Sequence, residues 1–120
     1  MPKKLLLIEN DKNVMACSRM LFQHYGFEVD AAETLDTAKG FLAKNKYSVV
    51  VAELCLENRT ESEGFDILEY IKATAPGTKV IIVTYLCDPA VKRKALEYDI
   101  HGYFEKPISF DKVLKLISDL

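Results

Sequence analysis

Five short apolar runs punctuate the chain, separated by longer stretches in which apolar residues recur every three or four positions. The runs are Leu5 to Ile8, Phe27 to Ala31, Val49 to Ala52, Val80 to Val83 and Gly102 to Phe104. Three of the five are rich in Val or Ile, whose branched side chains suit a pleated surface. They are nearly continuous rather than alternating, as expected of parallel strands covered on both faces. No repeat, low-complexity tract or linker interrupts the alternation.

Each run leads into a segment of helical period. The first starts at Asp11, a good N-cap, carries Val14, Cys17, Met20, Leu21 and His24 on its predicted inner face, and stops at Gly26. The second begins near Thr34 with Leu35, Ala38, Phe41 and Leu42. The third carries Phe65, Leu68 and Ile71 and ends before Pro76-Gly77. The fourth has Asp88 as cap and Pro89 in its first turn, with Val91, Ala95 and Leu96 inward. The fifth is capped by Ser109 and carries Val113, Leu114, Ile117 and Leu120. Strand and helix in fivefold alternation predict an α/β fold, a doubly wound five-stranded parallel sheet flanked by five helices, with residues 1–120 forming one domain. In such sheets chemistry gathers outside the carboxyl ends of the strands.

Composition narrows the function classes. Hydrophobic residues make up 49% and charged residues 28% of the 120, an ordinary globular balance. The formal net charge of -2 lacks the basic excess of a nucleic-acid-binding surface. The apolar run after Met1-Pro2-Lys3-Lys4 is too short for a signal peptide or a membrane span. Cys17, Cys55 and Cys87 are far apart, odd in number and without metal-ligand spacing, which fits reduced thiols in a cytoplasmic protein.

The residues just past the strands are chemically concentrated: Glu9-Asn10-Asp11 after the first, Glu53 after the third, Thr84-Tyr85 after the fourth, and Glu105-Lys106-Pro107 after the fifth. Clustered oxygen donors are what Mg²⁺ requires, and a hydroxyl and an ammonium beside them can bind phosphoryl oxygens. In this order the residues resemble the response-regulator receiver domains of two-component phosphorelay systems, and the resemblance runs from end to end. It implies a flavodoxin-like sheet of order 2-1-3-4-5. It places Glu53 at the phosphoacceptor position and Thr84 and Lys106 as phosphoryl-binding switch residues. Tyr103 matches the aromatic that reports activation, and Gly64 the glycine opening the third helix. Glu9, Asn10, Glu53 and the backbone carbonyl of Cys55 match the Mg²⁺ ligands. The partners it implies are a histidine kinase and an output domain or downstream protein, with a homodimer through the fourth helix, fifth strand and fifth helix as a further expectation.

Four departures fall on the chemistry. Glu53 stands where the family has Asp, moving the carboxylate by roughly 1 Å, a misplacement that can cost about 100-fold in rate. Asn10 replaces an acid, so Glu9, Asn10, Glu53 and Lys106 sum to about -1 in place of the usual -2, and Mg²⁺ is expected to bind weakly. Tyr85 stands where a small residue is usual and is expected to cover part of the pocket. The segment between Glu53 and Gly64 is about three residues longer than usual, lacks the customary Pro, and is expected to be exposed and mobile. Plainer readings stand beside these. Glu53 and Lys106 are equally a constitutive ion pair, Asp11 a helix cap, Thr84 a strand-ending β-branched residue, Tyr103 a ring without a switching role, His24 and His101 structural, and Cys55 and Cys87 small fillers.

Three functions are compatible with these residues. The first is a non-catalytic receiver module that signals by protein–protein contact, its phosphorylation impaired or absent, through a face including Lys92, Arg93, Lys94 and Tyr103. The second is a working phosphoreceiver taking phosphate from a histidine kinase with Mg²⁺. The third, a flavodoxin-like small-molecule binder, would need a phosphate-cradling glycine-rich loop that the chain lacks.

Overall fold

The computed structural model describes residues 3–56, 61–86, 88–107 and 109–119. In chain order its elements are β1 (Lys3–Ile8), α1 (Lys12–His24), β2 (Phe27–Ala32), α2 (Leu35–Lys44), β3 (Val49–Ala52), α3 (Ser62–Thr74), β4 (Lys79–Thr84), α4 (Pro89–Leu96), β5 (Gly102–Glu105) and α5 (Phe110–Ser118). All pairings are parallel and the order is β2-β1-β3-β4-β5, as the resemblance implied.

Successive strand residues face opposite sides of the sheet, which divides the core into two layers. Leu6, Ile8, Val50, Ala52 and Ile82 pack under α2, α3 and α4 with Ala38, Leu42, Phe65, Leu68 and Val91. Leu5, Leu7, Val49, Val51 and Ile81 pack under α1 and α5 with Phe22, Val113 and Ile117. Burying each large side chain of these layers contributes about 1.5–3 kcal/mol. Caps set the helix starts. The Asp11 carboxylate accepts from the N–H groups of Asn13 and Val14, the Thr34 hydroxyl oxygen from Thr37, and the Asp88 carboxylate from Ala90. Ser109 holds the N-cap position of α5, but its side chain makes no capping bond among the described residues. Gly26, at φ +95°, ends the turn after α1 where a side chain would be strained.

Three expectations are corrected. The buried side of α1 is built on Val14, Met15, Ser18, Leu21 and Phe22, whereas Cys17 and His24 are exposed and Met20 is 68% exposed. A run of apolar residues on more than one side of this helix left the inward side ambiguous to spacing alone. Leu96 is 52% exposed rather than inward, because α4 meets the sheet through Val91 and Ala95. The connection after β3 is not exposed at its start: Leu54 and Leu56 are completely or almost completely buried. Residues 57–60 of that connection, Cys87 and Leu120 lie outside the described residues.

Ladder bonds continue past the strands and fix the residues at their carboxyl ends. Glu9 N–H donates to the Ala32 carbonyl at 3.0 Å, Glu53 N–H to Ile8 at 2.9 Å, and Lys106 N–H to Thr84 at 2.7 Å. The register that pairs Ile8 with Ala52 and Ala52 with Ile82 therefore delivers Glu9, Glu53, Thr84 and Lys106 to one edge of the sheet.

Candidate functional site

Two carboxylates enter this edge from β1 and β3, and one ammonium from β5. The Lys106 Nζ donates to Glu9 Oε1 and to Glu53 Oε1, the latter at 3.2 Å. The three side chains are buried, only 8% (Lys106), 5% (Glu9) and 4% (Glu53) exposed. Charges withdrawn this far from water are tolerated only when paired and hydrogen-bonded, and the backbone supplies the rest. Glu9 Oε2 accepts from the N–H groups of Asn10 at 3.0 Å and Asp11 at 3.2 Å. Glu53 Oε2 accepts from Cys55 N–H at 3.3 Å, and Glu53 Oε1 from Tyr85 N–H at 3.4 Å. Burial acts to lower the Lys106 pKa, but the hydrogen bond to Glu9 and the charges of Glu9 and Glu53 outweigh it, so the ammonium is held above its usual range.

The surrounding residues close the arrangement. Asn10 is exposed and its Nδ2 donates to the Leu56 carbonyl at 3.2 Å, tying the turn after β1 to the segment after β3. Thr84 is fully buried, and its Oγ1 accepts from Leu86 N–H at 3.1 Å, within the β4–α4 connection. The Tyr85 ring, 61% exposed, lies with its centroid 4.7 Å from Lys106 Nζ and roofs the ammonium. Tyr103 donates its O–H to the Leu86 carbonyl at 3.3 Å, and Lys92 Nζ lies 5.7 Å from its ring centroid. The Cys55 thiol is driven upward in pKa by burial and by the charges of Glu53 and Glu61, so it stays protonated near neutral pH. Beneath the carboxylates a cavity of about 60 Å³ is walled by Val14, Phe22, Val51, Val83, Phe110 and Val113. A far larger concavity of about 720 Å³, between the α2–β3 and α3–β4 connections, contains none of the site residues expected from the sequence.

Gly64 secures the floor of this region. Its N–H donates to the Leu54 carbonyl at 3.1 Å, and a Cβ there would lie 2.5 Å from Leu54 Cα. Only glycine lets α3 approach the end of β3 so closely.

Residues 5–118 match the family model described as the response regulator receiver domain. This chain is a member of that family. Among curated relatives it is 24% identical over 114 residues to the transcriptional regulatory protein DltR of Streptococcus agalactiae serotype III (strain NEM316), covering 95% of this chain and 50% of DltR. It is 24% identical over 118 residues to the transcriptional regulatory protein GlrR of Escherichia coli (strain K12), covering 98% of this chain and 26% of GlrR. The chain thus spans half or less of these relatives. In structure it is similar to a CheY-like response regulator receiver domain protein from Methanospirillum hungatei JF-1, with a TM-score of 0.89 at 18% identity, covering 99% of this chain and 93% of the other, which shows the shared fold.

The sequence-predicted residues of the receiver fall into two groups. Glu9, Glu53 and Lys106 meet directly, with Asn10, Cys55 and Tyr85 against them; Thr84 and Tyr103 instead bond to Leu86. Cys55 also contributes its N–H, which reaches Glu53 Oε2. Sequence reasoning missed the N–H groups of Cys55 and Tyr85 and the Leu56 carbonyl, because every residue type carries such backbone groups.

Receiver domains typically bind Mg²⁺ at this position. Among the described residues no three His, Cys, Asp or Glu side chains gather to hold a metal ion. The carboxylate oxygens that would face it are committed to an ammonium and to N–H donors. As arranged, these residues do not fit a hard divalent cation.

Proposed function

We propose that this receiver domain of a two-component system signals by protein–protein contact and is impaired in phosphorylation, because Glu53 occupies the acceptor position. One observation supports this above the others. The Glu53 carboxylate is buried and both its oxygens are engaged, Oε1 by Lys106 and Tyr85 N–H, Oε2 by Cys55 N–H. Attack on a phosphorus centre requires an oxygen free to align with the leaving group, and misplacement by roughly 1 Å costs about 100-fold. On this reading Glu9, Asn10, Glu53 and the Cys55 carbonyl take Mg²⁺ weakly at most, since Lys106 already occupies the carboxylates, and Thr84, Lys106 and Tyr103 keep the switch positions. The whole chain, 1–120, acts as one non-catalytic receiver unit in the cytoplasm.

The output surface is the face of α4, β5 and α5. Lys92, Arg93 and Lys94 are exposed in succession on α4, and Leu96 adds apolar area at its end. A basic row beside an apolar spot suits an acidic protein partner, whether kinase, output domain or second copy. Incubation with Mg²⁺ and acetyl phosphate, with the intact mass measured afterwards, tests the reading. No gain is expected; a gain of one phosphoryl group would establish the working phosphoreceiver instead.

A further inference from the structure

We infer that Lys106 is the resident cation of this pocket: its ammonium holds the two carboxylates where a divalent ion would otherwise sit, so the site is complete without metal. The inference rests on the proposed reading of the same site and names how that site is held.

The geometry carries it in three parts. First, one Nζ contacts an oxygen from each carboxylate, Glu9 Oε1 and Glu53 Oε1, so it bridges β1 and β3 from the end of β5. A bridging point charge between oxygens of two strands does what a divalent ion does in an oxygen-lined site. Second, the charges suit a monocation. Glu9 and Glu53 bring -2, Asn10 brings none, and Lys106 leaves -1, where an Asp at position 10 would add the charge that attracts a second cation. Third, the ammonium is covered. The Tyr85 ring stands over it at 4.7 Å, and apolar side chains wall the small cavity beneath. The carboxylate oxygens not on Lys106 already accept N–H groups of Asn10, Asp11 and Cys55. An incoming ion would have to compete with the lysine for the oxygens facing it.

Exchanging the resident cation makes the test. Thermal unfolding is measured in MgCl₂ and in NaCl of matched ionic strength, for the natural chain and for Lys106→Met. The natural chain is expected to show no Mg²⁺-specific shift. The variant, left with a bare dicarboxylate, is expected to melt lower and to recover about 4 °C or more with Mg²⁺ in tenfold excess over its dissociation constant. A Mg²⁺-specific rise in the natural chain, or its absence in a folded Lys106→Met, would overturn the inference. Should the variant not fold, Mn²⁺ titration of the ¹⁵N-labelled natural chain decides. Unbroadened amides at Asn10, Glu53, Cys55 and Lys106 support the inference, and selective broadening there overturns it. A phosphoryl mass gain together with Mg²⁺ indifference would overturn the functional reading and uphold this one. Mg²⁺ binding without mass gain would do the reverse.

Discussion

The carboxyl edge of the sheet and the seam between α3, α4 and the α4–β5 connection both use lysines to join elements, but in opposite physical regimes. At the edge, Lys106 is buried between two buried carboxylates. At the seam, Lys94 Nζ lies 4.4 Å from the ring centroid of buried Phe65, Phe65 stacks on Tyr98 at 5.9 Å, and Tyr98 donates to Glu69 Oε1 at 2.8 Å, with Lys94 itself exposed to water. Low dielectric makes the first contact costly to break from one side, whereas exposed cation–π and ion contacts are worth about 0.5–1 kcal/mol each. The comparison teaches which part is fixed and which is adjustable. The pocket is a clamp across β1, β3 and β5, while the outer side of α4 is joined to α3 by weaker contacts beyond its buried Val91 and Ala95.

The harshest way to break the contrast is Lys106→Met, which strands both carboxylates. It should destabilise by about 3–5 kcal/mol in urea unfolding; a loss below about 1 kcal/mol would mean the clamp is no tighter than the seam. Next is Gly64→Ala, whose Cβ would overlap the Leu54 backbone. Overpacking of this kind costs about 1–3 kcal/mol, and an unchanged urea midpoint would show that α3 can move away from β3. The pH profile sharpens the same point. Because the Lys106 pKa is raised in the folded state, its stabilisation is full below the unfolded value of 10.5 and is lost as pH rises through the folded value. Tyr47 and Tyr98 are also raised, through burial and the Asp30 contact and through the Glu69 hydrogen bond respectively, so they too favour the fold less as pH rises. The difference between natural chain and Lys106→Met isolates the lysine, and it should shrink only above about pH 10.5. Smallest is Lys94→Met at the seam, with about 0.5–1 kcal/mol expected. A larger loss would make the seam structural.

The strand runs and several helix boundaries were legible because apolar runs, caps and glycines are local signals, whereas the sheet order came from the resemblance to receiver domains. Asp11, Thr34, Asp88 and Gly26 announced where helices start and stop. The inner side of α1 was not legible, since Met20 and Cys17 are apolar yet face water, while polar Ser18 turns inward. Which residue types meet at the carboxyl edge could be read from strand ends. How they meet could not: nothing in the spelling tells that Lys106 spans two carboxylates, or that Thr84 bonds to Leu86 within its own connection. Two leucines in a polar segment, Leu54 and Leu56, were a signal of burial that the lengthened loop obscured.

The central claim is that the Glu53 pocket is closed to phosphoryl transfer by its own side chains. Its most direct test compares the natural chain with the Asn10→Asp, Glu53→Asp double variant. Both are treated with acetyl phosphate and Mg²⁺, and phosphoryl incorporation is measured over time by intact mass. Incorporation in the double variant is expected at a rate at least about 100-fold above that of the natural chain. Equal incorporation in the two would contradict it.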